Sequence, residues 1–97
     1  MRVVRDKAFT RDRERQAEWL MEQGRRTDLQ RLQVRVKEAL GQLARFPALG
    51  YDDEGDGVRE LSLHPLPFLV WYQVVESGEV VRVIALFHER QDRMGRR

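Results

Sequence analysis

The sequence predicts a small α+β domain: an N-terminal strand and an antiparallel helical hairpin packed on one face of a C-terminal antiparallel β-sheet. Three observations carry that expectation. Residues 58–93 hold three runs rich in β-branched and aromatic residues, with Pro and Gly confined to the gaps between them. Leu29, Leu32, Val36, Ala39 and Leu43 recur at spacings of three, four, three and four, the period of an amphipathic helix. A chain of 97 residues is long enough for one domain with one small core.

Taken in order, Arg2-Val-Val-Arg5 is a short candidate edge strand. Thr10 is the predicted N-cap of a first helix that ends near Gln23, where Gly24 stops it. Its apolar positions are few (Phe9, Ala17, Leu20 and Met21), and Trp19 lies off the main stripe. Thr27-Asp-Leu-Gln30 fits a capping box for the second helix, whose seam is widened by Leu40 and Ala44. Gly41 interrupts that helix at a cost of about 1 kcal/mol relative to Ala, which suggests close packing there. Pro47 ends the helix near Phe46. The short Gly24-Arg-Arg26 link makes the two helices antiparallel neighbours.

The acidic stretch Tyr51 to Gly57 begins like a calcium loop. Its twelfth position, however, is Leu63, where a bidentate Glu is required, so it is read as a solvated turn. The three strand runs follow, separated by a Pro65/Pro67 corner and a Glu-Ser-Gly-Glu turn. Phe68 to Val75 is almost wholly apolar, as in a strand covered on both faces. In the last run, strict alternation puts Val81, Val83, Ala85 and Phe87 on a face buried against the helical seam. Arg82, Ile84, Leu86 and His88 then share the opposite face. The polar tail from Arg90 is expected to be part of the single 1–97 domain, with 94–97 fraying.

Composition narrows the function. No apolar run approaches the roughly 20 residues of a membrane span, and the first residues have no apolar signal region, so a cytoplasmic protein is expected. With no cysteine and only His64 and His88, no metal or other cofactor is expected, and His64 in its corner reads as simply exposed. Eighteen basic against 16 acidic residues, a net charge of +2, is too mild to signal nucleic-acid binding. The chemistry-bearing residues gather late in the chain: Arg59, Arg82, His88 and Arg90. Such a cluster could bind phosphate, or with a general base cleave RNA; a solvated sheet end with ordinary ion pairs is the plainer alternative. The face taken by Arg59 depends on a sheet register that the sequence leaves open.

The phrases Arg45-Phe-Pro-Ala-Leu-Gly50, Gly57-Val-Arg-Glu-Leu61, Phe68-Leu-Val-Trp-Tyr72 and Val83-Ile-Ala-Leu-Phe-His-Glu-Arg90, following a helical hairpin, resemble the RelE/ParE toxin superfamily from Val3 to about Arg93. The resemblance implies the toxin half of a bacterial type II toxin–antitoxin pair, silenced by an antitoxin wrapped on its surface. RelE-like members are ribosome-dependent mRNA endonucleases; ParE-like members poison DNA gyrase. Leu43 to Gly50 and His88-Glu-Arg90 look more like the ParE side. Leu69 and Gln73 stand where ParE-like sequences often carry basic residues, and the acidic loop lies where RelE-like nucleases tend to carry lysines.

The expectation is therefore a ParE-like gyrase inhibitor rather than an enzyme. The alternatives are an mRNA endonuclease using Arg59, His88 and Arg90, or an attenuated member that only binds its antitoxin. Arg59, Arg82, His88, Arg90 and Arg93 are the candidate target contacts; Ile84, Leu86 and Trp19 are the candidate antitoxin contacts.

Overall fold

The computed structural model describes residues 1–52 and 54–90. Arg93 and the tail 94–97 lie outside the described residues. The elements run β1 (Arg2–Arg5), α1 (Lys7–Glu22), α2 (Arg26–Arg45), β2 (Arg59–Ser62), β3 (Phe68–Val75) and β4 (Val80–His88). They form one four-stranded sheet in the order β1-β4-β3-β2. The last three strands are the expected antiparallel meander. The N-terminal strand joins it at the β4 edge in parallel, so the whole sheet is mixed. Among the described residues no helix is long and apolar enough to cross a membrane.

Both helices start earlier than their sequence signals suggest. Asp6, not Thr10, caps α1: its carboxylate accepts from the Lys7 N–H at 3.0 Å. Its own N–H donates to the Val83 carbonyl at 2.9 Å, so the chain turns from strand to helix on a single residue. For α2 the cap position is Arg25, which has no side-chain cap bond; the Thr27 capping box does not form. Asp28 instead accepts from Arg25 Nε at 2.7 Å, and Phe46 closes the helix as expected. Gly41 is exposed and a Cβ there would meet nothing within 4 Å, so close packing does not explain it.

The helical seam is where the sequence puts it. Leu32, Val36, Ala39, Leu40 and Leu43 are buried, with Phe9 and Leu20 from α1, against Val70, Tyr72, Val81, Val83 and Leu86 of the sheet. Each buried Leu, Val or Phe among them contributes about 1.5–3 kcal/mol by leaving water.

One residue overturns the predicted faces of β4. The register runs Tyr72↔Val83 and then Trp71↔Ala85, so Ile84 is a β-bulge. A bulge inserts one residue, and every side chain beyond it changes face. Val81 and Val83 face the helices as predicted, but Ala85 and Phe87 do not. They join Leu69 and Trp71 in a second buried cluster on the opposite face, with Val58 and Ile84 packed against it. Leu86 and His88 turn inward to the helix side, so Arg82 and His88 lie on opposite faces.

Candidate functional site

Asp12 of α1 is buried, and its carboxylate accepts the Leu86 N–H at 3.0 Å, beyond the point where β1 stops pairing. That bond holds α1 along the end of β4 and brings Trp19 beside His88. Together with Arg15 and Gln16 they line a groove of about 510 Å³. Trp19 is 46% exposed, and the Arg25 guanidinium lies 5.6 Å from its ring centroid. The half-buried His88 ring packs edge-on to Phe68 at 5.4 Å. Its Nδ1 accepts the Arg90 N–H at 3.1 Å, which leaves the ring proton of the neutral form on Nε2.

The structure thus brings Trp19, His88 and Arg90 to one end of the molecule. Arg15, Gln16 and Arg25 belong there too. Sequence reasoning passed over them because the charged positions of α1 look uniformly solvated. A usable signal was Gly24, which reverses the chain and returns Arg25 over the indole six positions back. Cations, an amide, an imidazole and an aromatic ring suit a protein segment that offers carboxylates and an apolar anchor.

The other nominated residues are elsewhere. Arg59 pairs with Tyr72, placing it on the helix side of the sheet near the end of α2. Its guanidinium donates to the carbonyls of Gly50 at 2.7 Å and Ala48 at 3.4 Å. Arg59 and His88 are two strands apart, and their partners Tyr72 and Phe68 stand four residues apart on β3, about 13 Å along the sheet. Arg82 is on the helix-free face, paired with Asp6 at 3.0 Å. Leu86 is buried in the core, so it is not a surface contact. Ile84 is half-buried on the outer cluster and Arg90 is exposed. In the acidic loop, Asp52 and Asp56 accept backbone N–H groups of Gly57 and Val58, the bonds of a folded turn.

Arg59 shares its work with Tyr72, whose hydroxyl donates to the Pro47 carbonyl at 2.8 Å and accepts the Gly50 N–H at 2.7 Å. Burial raises the Tyr72 pKa above the ordinary 10.0, partly offset by the Gly50 hydrogen bond and the Arg59 charge. A folded value above the unfolded one adds stability in full below about pH 10, lost as pH climbs through the raised value. Thermal melts from pH 8 upward should therefore show a steeper alkaline fall for the wild type than for Tyr72→Phe. Parallel curves would refute the assignment.

Residues 3–93 match the family model described as ParE toxin of type II toxin-antitoxin system, parDE. Among solved structures, a chain of the chromosomal ParDE TA system from P. aeruginosa superposes with a TM-score of 0.73 at 20% identity, covering 91% of this chain and 95% of that one. No curated protein sequence matches the chain.

Proposed function

The chain belongs to the ParE toxin family of type II toxin–antitoxin systems, and from that premise we propose that it acts in the cytoplasm by binding DNA gyrase and is silenced by a cognate antitoxin. One observation carries the preference for protein binding over RNA cleavage. Cleavage needs a general base, a general acid and a cationic clamp converging on one phosphate. Here Arg59 is turned into backbone carbonyls, Arg82 is ion-paired on the far face, and His88 sits beside Trp19 at a different end. The acidic loop follows the turn that Arg59 holds, where carboxylates repel a polyanion.

The Trp19–His88 groove supports a simple mode of silencing. An antitoxin segment seated on Trp19 covers His88 and Arg90, two of the residues put forward for the target, so antitoxin and target compete for one surface. Trp19 in the groove and Ile84 on the opposite face of the sheet remain the antitoxin contacts of this reading, the second reached by a segment that wraps around the chain.

The test is to induce the toxin in cells and score ribosome-bound mRNA cleavage and gyrase-dependent DNA breakage together, with and without the adjacent reading frame co-expressed. DNA breakage that the neighbouring protein suppresses is expected. His88→Ala should keep most of the toxicity, whereas Arg90→Glu should weaken it. If His88 moved a proton, its loss would cost about 10²–10⁴ in cleavage rate. Codon-position cuts in mRNA with intact chromosomal DNA would overturn the gyrase reading.

A further inference from the structure

Between α2 and the acidic loop the chain makes a turn whose apolar side chains point outward. Phe46 is 61% exposed, Leu49 45% and Tyr51 76%. Single exposed apolar residues are ordinary, but three on one six-residue turn are a local concentration, here called a patch. The turn is held from beneath at every step. Leu49 N–H donates to the Phe46 carbonyl at 3.1 Å, and Tyr72 and Arg59 fasten Pro47, Ala48 and Gly50. Tyr51 and Glu60 exchange both backbone bonds, at 2.9 and 2.7 Å. Gly50 lies so close to the sheet that a Cβ would meet the Glu60 carbonyl at 2.7 Å and the Tyr72 ring at 2.8 Å. Polar groups beneath thus fix the display of apolar groups above. A rigid apolar display loses little further entropy on docking, the property that lets a small contact bind well.

Its charge says what it fits. No Lys or Arg occurs from 46 to 58, while positions 52, 53, 54 and 56 hold four of the 16 carboxylates, leaving the rest of a +2 chain at +6. On its loop side the patch is therefore acidic, with exposed Arg45 flanking the other side and the Arg59 guanidinium turned into the carbonyls beneath; the acidic side repels nucleic acid and complements a basic rim. It also lies at the far end of α2 from the Trp19–His88 groove, about 30 Å away along a 20-residue helix.

We propose that the Phe46–Tyr51 turn is a knob by which the toxin grips its protein target, entering an apolar pocket bordered by Lys or Arg. This rests on the reading that the toxin works by binding a protein. The test uses the full chain carrying Phe46→Ala, Leu49→Ala and Tyr51→Ala together, the milder Tyr51→Ala and Glu54→Arg singly, and Val34→Ala as an exposed apolar control on α2. Survival on induction, antitoxin co-purification, thermal melting and sedimentation are read for each.

The triple variant should melt cooperatively, still bind antitoxin and lose at least tenfold in toxicity. Tyr51→Ala and Glu54→Arg should each lose several-fold, and Val34→Ala nothing. Should the triple variant fail to fold, the two single variants decide. Undiminished toxicity in folded variants overturns the proposal. So does loss of antitoxin binding, which would make the turn the antitoxin's seat, or a wild-type dimer that the triple variant dissolves, which would make it a self-interface. A toxic wild type that spares gyrase, with a harmless triple variant, sinks the gyrase reading and keeps the knob. A wild type without toxicity overturns both.

Discussion

Replacing Asp12 with alanine lowers the stability of the chain by about 2–3 kcal/mol, the range for a hydrogen bond to a charged group whose partner is left unsatisfied. The cause is an edge that changes cover midway. β1 pairs with β4 only as far as Val83, after which the chain folds back as α1. The Leu86 N–H, one residue past Ala85, would then be a buried donor without a strand to receive it. Asp12 supplies the acceptor at 3.0 Å. Asp12→Asn keeps a carbonyl oxygen at that place and should cost about half as much. Urea melts measure both, and hydrogen exchange at the Leu86 amide should quicken in Asp12→Ala more than at Val81. A cost under about 0.5 kcal/mol, the scale of ordinary surface substitutions, would show that the bond is dispensable. The effect reaches the site, because this bond lays α1 along β4 and so sets Trp19 beside His88.

The parts of the fold that the sequence displays are those written in a period. The α2 seam and the meander were legible because each repeats its apolar positions at a helical or strand spacing. The faces of β4 were not, and the reason is specific. Val83, Ile84, Ala85, Leu86 and Phe87 are all apolar. No polar mark within them fixes parity, so a bulge at Ile84 leaves no trace and still inverts all that follows. His88 looked like a companion of Arg82 on this account and is a neighbour of Trp19 instead. Arg59 was ambiguous for a related cause: its face follows from its pairing with Tyr72, a contact 13 residues away. The cap of α1 was missed because Asp6 serves strand, helix and Arg82 at once, and no local signal announces three roles in one residue.

Phe87→Ala tests the inverted face directly. Phe87 is 0% exposed, and its ring meets Trp71 edge-on at 4.8 Å. Truncating a buried Phe costs about 3–5 kcal/mol in lost transfer and residual cavity. The edge-to-face pair adds about 0.5–1.5 kcal/mol to what is lost. Stability alone does not separate the two arrangements, since Phe87 would be buried under strict alternation as well. The indole does. Trp19 and Trp71 are the two tryptophans of the sequence, so in a Trp19→Phe background all indole emission comes from Trp71. Trp71 is 3% exposed and donates from Nε1 to Glu60 at 2.9 Å. With Phe87 on the outer cluster, Phe87→Ala strips a ring from that indole and shifts its emission to the red. Leu86→Ala, a truncation of comparable depth on the helix side, costs about 2–5 kcal/mol and leaves the emission in place. A red shift from Leu86→Ala but not from Phe87→Ala would return β4 to simple alternation and put His88 back beside Arg82.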